Sequence, residues 1–372
     1  MFTSLLTFGM EHLDTWIAGA LPESMSMVVY LAWILLGLVG LAYGANFLVK
    51  GAVRIALRIG LTPAIVGATI VAFGTSAPEL ITAVVASSQG KVDLAFGAIV
   101  GSNIANILLI LGVVGLMKPI KADPTVLRWD GPWMMIAALS LITFTWISWS
   151  PFEVASAAPI GEAAAGESQR MISNTEGIVM LVLMVGFLVT SVIRARKTKS
   201  EPDAEVQEEL AALQKSPWIV DLGYLIGGLV ILTLGAERLV YGASSSADAL
   251  GVDPIIAGLT IMALGTSLPE LATSIAAARK GHADLAIANV TGSNIQNIVL
   301  CLAAAAAVSS TGGLPVDLNG ATWDLGMLMV ATLLFSLYLI VWGSLNRVRA
   351  GIMLALYIAY VAYLIIRTKN GW

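Results

Sequence analysis

Two acidic residues lie inside otherwise apolar stretches. Glu79 ends the sequence GTSAPE, and Glu270 ends the sequence GTSLPE. A charged side chain at the centre of a bilayer costs about 2.5 to 3.5 kcal/mol on insertion scales, so an acid in such a stretch normally faces a polar cavity. Proline cannot donate a backbone hydrogen bond to the carbonyl four residues earlier, so Pro78 and Pro269 predict a break and loosened carbonyl oxygens beside each acid. The two motifs together predict a buried polar site.

Hydroxyl groups accompany each acid. Thr75 and Ser76 precede Glu79 by four and three residues, and Thr266 and Ser267 repeat this spacing in the second motif. Helical residues three or four apart share one face. We therefore expect hydroxyl oxygens next to each carboxylate.

A second pair of motifs carries neutral oxygen donors. GSNIAN places Ser102 four residues before Asn106, and GSNIQN places Ser293 four residues before Asn297. The preceding glycines permit close approach of helices. Carboxylate, amide, hydroxyl and carbonyl oxygens suit Ca2+, which takes 6 to 8 oxygen ligands, or Na+. One cysteine and two histidines leave too few soft ligands for a zinc site.

The elements that carry these motifs are expected to be membrane helices. Of 372 residues, 58% are hydrophobic and 12% are charged, whereas soluble domains carry about 25% charged residues. Residues 27–49 and 325–345 are long enough, without a charge, to cross a hydrocarbon core of about 30 Å. The sequence therefore predicts an all-α membrane protein in a lipid bilayer. A net charge of -4 without a basic patch argues against nucleic acid as a partner.

Ten transmembrane helices are predicted after an N-terminal interfacial segment at residues 1–26. They are 27–49, 62–88, 92–117, 131–150, 174–194, 218–242, 253–279, 283–309, 322–345 and 350–367.

The chain contains an internal repeat. Residues 67–111 align without a gap on residues 258–302 at a constant offset of 191, with 24 identities in 45 positions. This indicates a duplicated five-helix unit, covering 27–194 and 218–372 and joined by a linker at 195–217. Because five is odd, the two copies have opposite orientations in the membrane. Transporters with inverted repeats place their substrate at mid-membrane between discontinuous helices.

The distribution of Lys and Arg predicts the orientation. In this arrangement 15 of these residues fall on one side and 5 on or toward the other. Lys and Arg are enriched in cytoplasmic loops. We therefore expect a cytoplasmic linker and two outer termini in an integral protein of the cell inner membrane.

At the GTSxPE and GSNIxN blocks the chain resembles the sodium/calcium exchangers of the calcium/cation antiporter superfamily, of prokaryotic type, over essentially all ten helices. The resemblance implies exchange of Ca2+ for Na+ by alternating access, without a cofactor, and both ions binding at Glu79 and Glu270. It also implies further ligands: the hydroxyls of Thr75, Ser76, Thr266 and Ser267, the main-chain carbonyls of Ala72 and Ala263, and the side chains of Ser102, Asn106, Ser293 and Asn297.

The chain departs from members of this family at Asn297 and in the length of its linker. Many prokaryotic relatives have Asp where this chain has Asn297, so sodium stoichiometry and proton sensitivity are not carried over. The linker is too short for the calcium-sensing domains of animal members.

Three alternatives compete with this interpretation. In a proton-coupled cation antiporter the two acids would alternate between carboxylate and carboxylic acid, but proton-coupled relatives tend to carry a GNAxE-type sequence instead of GTSxPE. A cation channel could share the oxygen-lined centre, although inverted repeats with broken helices favour alternating access. An intramembrane enzyme lacks the parts, since His12 and His282 lie outside the span cores and no pair of nucleophile and base is evident.

Overall fold

The computed structural model describes residues 23–61, 63–88, 92–121, 129–146, 169–197, 217–250, 263–309 and 313–369. The α-helices are α1 (Glu23–Ile59), α2 (Pro63–Val66), α3 (Ala72–Thr75), α4 (Ala77–Ser88), α5 (Val92–Ile104), α6 (Leu111–Met117), α7 (Gly131–Trp146), α8 (Asn174–Lys197), α9 (Trp218–Ala249), α10 (Ala263–Thr266), α11 (Leu268–Arg279), α12 (Ala283–Gln296), α13 (Ala303–Val308), α14 (Leu318–Trp342) and α15 (Arg347–Lys369). Three π-helical segments, Gly67–Val71, Ala105–Ile110 and Asn297–Leu302, join α2 to α3, α5 to α6 and α12 to α13.

Seven helical stretches are long and apolar enough to cross a membrane. They are Met27–Ile59, Ala95–Met117, Asn174–Arg194, Trp218–Ala243, Ala283–Val308, Ala321–Trp342 and Arg347–Arg367. A bent pair, Gly67–Thr75 with Ala77–Ser88, makes an eighth if it is counted as one span. The apolar helix α7 is shorter. The described part of the chain is therefore a nearly all-helical membrane protein.

Several predicted segments lie wholly or partly outside the described residues: the N-terminal residues 1–22, the outer loop at 151–168, most of the linker at 198–216, and residues 251–262 at the start of the predicted seventh span. At several boundaries the structure differs from the prediction. Helix α1 continues to Ile59, past the predicted end of the first span at 49, and α9 continues to Ala249, past the predicted end at 242. Helix α1 begins at Glu23, within the segment predicted as interfacial, and α8 runs to Lys197, within the predicted linker. Helix ends carry weak signals in a sequence and are the least reliable part of such a prediction.

Two small antiparallel sheets, which the sequence did not predict, accompany the helices. Strand β1 (Ile120–Lys121) pairs with β4 (Ser344–Leu345), and β2 (Gln169–Ser173) pairs with β3 (Gly313–Asp317). These strands connect helices, and their pairing satisfies backbone groups that have left the helical hydrogen-bond ladder. Isolated strands of two to five residues give little periodic signal in a sequence, so none of the four was predicted.

The two sheets correspond to each other under the repeat. Both β1 and β3 follow a GSNIxN helix, and both β2 and β4 precede the last helix of their half. Each sheet pairs one strand of the first half with one strand of the second half. Exchanging the halves therefore converts one sheet into the other.

The helices divide into central and peripheral ones. In the spans that contain the GSNIxN motifs, 78% and 83% of an apolar 18-residue stretch is buried within the protein, against 17% of the corresponding stretch in the span from α1. Helix α1 packs along α9, where a Cβ added to Gly40 would lie 2.9 Å from the Cα of Gly235. Asp221 of α9 is fully buried and forms ion pairs with Arg54 and Arg58 of α1. Because most of their residues are buried within the protein, the helices that carry the GSNIxN motifs form the centre of the bundle.

Candidate ion-binding site

Both GTSxPE motifs break their helices at the serine. Ser76 separates α3 from α4 with φ -85° and ψ 3°, and Ser267 separates α10 from α11 with φ -85° and ψ 2°. These angles belong to the sparsely populated bridge region of backbone space. In the first half the two helical pieces are bent by 48°. The breaks predicted from Pro78 and Pro269 are confirmed at both positions.

The GSNIxN motifs run into π-helical turns. Asn106 lies in the segment Ala105–Ile110, and Asn297 begins the segment Asn297–Leu302. Such turns within α-helices occur frequently at functional sites. The second motif also packs closely on the first half, because a Cβ added to Gly292 would lie 2.7 Å from the Cα of Ala68 and would collide with its carbonyl oxygen. Only glycine permits this approach.

Glu79 and Glu270 are both buried, with 2% and 0% of their surface exposed. Ser102 Oγ donates a hydrogen bond to Glu79 Oε1 at 3.1 Å. Glu270 Oε1 accepts hydrogen bonds from Ser76 Oγ at 3.1 Å and from Ser293 Oγ at 3.3 Å. Ser76 belongs to the first half and Glu270 to the second. The two motifs therefore meet at one site.

Further hydroxyl contacts join the halves. The Oγ atoms of Ser102 and Ser267 are 2.7 Å apart. The hydroxyl of Thr266 lies next to Glu79, and that of Thr75 lies next to Glu270. Each acid is thus flanked by hydroxyl groups of the opposite half, an arrangement that the spacing along one helix did not reveal.

Several polar atoms of this cluster are buried without a hydrogen-bond partner. They are Oε2 of Glu79, Oε2 of Glu270, Oγ1 of Thr266, and both amide atoms of Asn106. Buried polar groups are nearly always paired in proteins. Within the described ranges neither carboxylate forms a salt bridge with Lys or Arg. A buried acid without a protein cation is a suitable ligand for a cation from outside.

Asn297 differs from its counterpart Asn106. Its Nδ2 donates to Asn103 Oδ1 at 3.4 Å, and its Oδ1 lies 3.7 Å from Cys301 Sγ. Asn294 Nδ2 donates to the main-chain oxygen of Asn103 at 3.2 Å. Asn103 and Asn294 were not predicted as part of the site. They occupy the same position in the two GSN motifs, so their repetition could have pointed to them. The repeat could not have pointed to Cys301 in this way, because its counterpart in the first half is an isoleucine.

The two alanines expected to offer carbonyl oxygens occupy equivalent places before the breaks. The Ala72 carbonyl accepts the backbone N–H of Ser76 at 2.9 Å. It also lies 3.3 Å from Thr75 Oγ1. A carbonyl oxygen has two lone pairs, so one is open to a cation when the Thr75 hydroxyl donates to another acceptor. Ala263 begins α10 and is the first described residue after 251–262, which lie outside the described part of the chain.

The chemistry of the cluster suits a hard cation. Two carboxylates supply two negative charges, and the amides and hydroxyls supply neutral oxygens. No group of three or more His, Cys, Asp and Glu side chains that could hold a metal ion occurs among the described residues. The fold is that of a membrane protein, and the buried cluster offers the oxygen ligands that hard cations prefer.

Comparison with known proteins gives the family. A family model described as "Sodium/calcium exchanger protein" matches residues 29–193 and 220–366. The chain belongs to this family of membrane transporters, and the family resemblance inferred from the two repeated motifs is confirmed.

Individual relatives match along most of their length. The chain is 30% identical to the sodium/calcium exchanger MaX1 of Methanosarcina acetivorans, over 89% of this chain and 97% of that protein. It is 33% identical to the inner membrane protein YrbG of Escherichia coli, over 84% and 89%. Its fold is similar to a solved structure of the sodium-calcium exchanger NCX_Mj, with a TM-score of 0.72 and 28% identity, covering 91% of this chain and 99% of that one.

Proposed function

We propose that this protein is a secondary active antiporter that exchanges Ca2+ for Na+ by alternating access. The observation that carries the proposal is the pair of buried glutamates, each with a carboxylate oxygen that has no protein partner. Membership of the sodium/calcium exchanger family supports Ca2+ and Na+ as the transported ions.

The site residues have distinct roles in this proposal. Glu79 and Glu270 neutralise the two charges of one Ca2+. The remaining ligands are oxygens of Thr75, Ser76, Thr266, Ser267, Ser102, Ser293, Asn106 and Asn297, with the main-chain carbonyls of Ala72 and Ala263. The inventory exceeds the 6 to 8 oxygens that one Ca2+ takes, which leaves ligands for Na+ at neighbouring positions.

In this proposal Ca2+ and Na+ are exchanged because both ions bind to the same two acids. Sodium ions that occupy Glu79 and Glu270 use the charges that Ca2+ requires, so the two ions compete for the site. If the protein changes its access to the two sides only when the acids are occupied, each ion drives the movement of the other. Occupancy shifts such an equilibrium by differential affinity for the two states.

The membrane arrangement in this proposal is ten spans in two inverted repeats, 27–194 and 218–372, with both termini outside and the 195–217 linker in the cytoplasm. The seven long apolar helices, the bent pair, α7, and the segment ending in α11 would supply the ten. The equal break geometry at Ser76 and Ser267 and the correspondence of the two sheets support the repeat relationship.

Uptake of radioactive Ca2+ into proteoliposomes tests the function. We expect uptake to require an outward Na+ gradient and to persist without gradients of K+ or protons. Uptake driven by a proton gradient instead would identify the proton-coupled alternative, in which Glu79 and Glu270 carry protons. Ca2+ flux without any counter-ion would indicate a channel, and either result refutes sodium-coupled exchange.

A further inference from the structure

A short chain of buried polar side chains leads from Thr75 into the second half, through Asn289 to Ser274. Thr75 Oγ1 lies 3.3 Å from Asn289 Oδ1, and Asn289 Nδ2 donates to Ser274 Oγ at 3.4 Å. All three residues are fully buried, with 0% exposure. Asn289 and Ser274 lie outside the four repeated motifs, so nothing in the site described above requires them.

The repeat shows that this chain of polar groups is specific to one half. At the offset of 191 residues, the counterpart of Asn289 is Ala98 and the counterpart of Ser274 is Ala83. Thr266, the counterpart of Thr75, has a buried hydroxyl without a hydrogen-bond partner. The two threonines thus share their position beside the glutamate of the opposite half, and they differ in that Thr75 has a second polar side chain, Asn289, within hydrogen-bond distance.

The direction of the Thr75 hydroxyl hydrogen decides what its oxygen can do. The hydroxyl has one hydrogen and three neighbouring acceptors: the Glu270 carboxylate beside it, and the Ala72 carbonyl and Asn289 Oδ1, each at 3.3 Å. Bonding back to the helix carbonyl is the usual choice of a threonine without another partner. Donation to Asn289 leaves the Ala72 carbonyl available and turns the lone pairs of Thr75 away from Asn289, toward a cation beside Glu270.

We propose that Asn289 is a positioning residue, which takes the hydrogen of the Thr75 hydroxyl so that this oxygen is set to receive a cation, with Ser274 fixing the Asn289 amide. This inference rests on the proposed cation site but goes beyond it. It makes the half of the site around Glu270 preorganised and the half around Glu79 less so, although their direct ligands are nearly the same. Preorganised ligands bind more tightly because less freedom is lost on binding.

A double-mutant cycle tests the coupling between Asn289 and Thr75. The variants are Asn289→Ala, which copies the first half, Thr75→Val, which removes the hydroxyl at nearly constant shape, and the two combined. The readout is equilibrium binding of radioactive Ca2+ to the purified full-length protein, with the thermal unfolding midpoint measured in parallel. Binding does not depend on which ion drives transport, so the cycle stands even if the sodium-coupled mechanism fails in the flux assay.

We expect Asn289→Ala to weaken Ca2+ binding roughly 3- to 10-fold, the value of one neutral hydrogen bond. In the Thr75→Val background the same substitution should change the affinity less than twofold, because no hydroxyl remains to be oriented. Asn289→Leu, which keeps most of the volume, should weaken binding as Asn289→Ala does, and this separates the hydrogen bond from a packing void.

Two results would overturn the proposal. One is an equal loss of Ca2+ affinity from Asn289→Ala with and without the Thr75 hydroxyl. The other is unchanged affinity in both Asn289 variants together with a lowered unfolding midpoint, which would show that Asn289 only stabilises the fold.

Discussion

Replacing one of the two acids by glutamine should weaken the binding of Ca2+ much more than the binding of Na+. Glu270→Gln keeps the shape of the side chain and can still accept from Ser76 and Ser293, which donate to Oε1 at 3.1 and 3.3 Å. It removes one of two buried negative charges, and no Lys or Arg pairs with either acid in the described ranges. Glu79→Gln makes the equivalent change next to Ser102.

The size of the effect follows from Coulomb's law. Two unit charges about 4 Å apart attract with about 4 kcal/mol at an effective dielectric constant of about 20, so a divalent ion loses about 8 kcal/mol and a monovalent ion about half of that. The desolvation of the carboxylate offsets a large part of both figures. If about one third of each electrostatic loss remains after this offset, Ca2+ affinity falls roughly 100-fold and Na+ affinity roughly 10-fold.

The assay compares binding and transport in the same preparations. We expect each variant to lose Ca2+ uptake in proteoliposomes while it keeps a measurable Na+ affinity and a monodisperse elution profile. Glu176→Gln is the matched control, because Glu176 is also buried but lies outside the site, where it accepts from the backbone N–H of Ser173 at 2.7 Å. Near-normal Ca2+ uptake by either site variant would refute the assignment of these acids.

Three further predictions concern the amide, the packing and the topology. Asn297→Asp adds a third carboxylate to the cluster, and mutual repulsion then favours binding of a proton. Sodium-driven Ca2+ flux should therefore fall more steeply as the pH drops from about 8 to 6 than it does in the wild type, and an unchanged pH profile would place this side chain outside the ion site. Gly292→Ala should destabilise the protein by about 1 to 3 kcal/mol, because its Cβ would meet the backbone of Ala68. The thermal unfolding midpoint should fall well below that of Gly326→Ala, where a Cβ has open space, and equal midpoints would contradict the close packing. A cysteine placed in the 195–217 linker, with Cys301 replaced by serine, should resist an impermeant thiol reagent added outside intact cells, and rapid labelling would reverse the proposed orientation.

Much of this cluster could be predicted because its motifs occur twice in the chain. Glu79 and Glu270, with their hydroxyls, stand in equivalent positions of a doubled motif, and chance rarely repeats a buried acid beside a proline. The helix breaks followed from proline chemistry alone, and the structure places them two residues before each proline, at Ser76 and Ser267. The local sequence was sufficient here because backbone hydrogen bonding acts over about four residues.

The amino-acid sequence by itself determined the membrane class, the duplication, the two motif pairs and the oxygen chemistry of the site. The tertiary structure decided which groups meet: Ser76 with Glu270, Ser102 with Ser267, and Asn289 with Thr75. It also decided that Asn297 is hydrogen-bonded to Asn103 while Asn106 is left without a partner. The physical reason is that these contacts join residues far apart in the chain, and their partners are set by how broken helices pack, which no local spacing encodes.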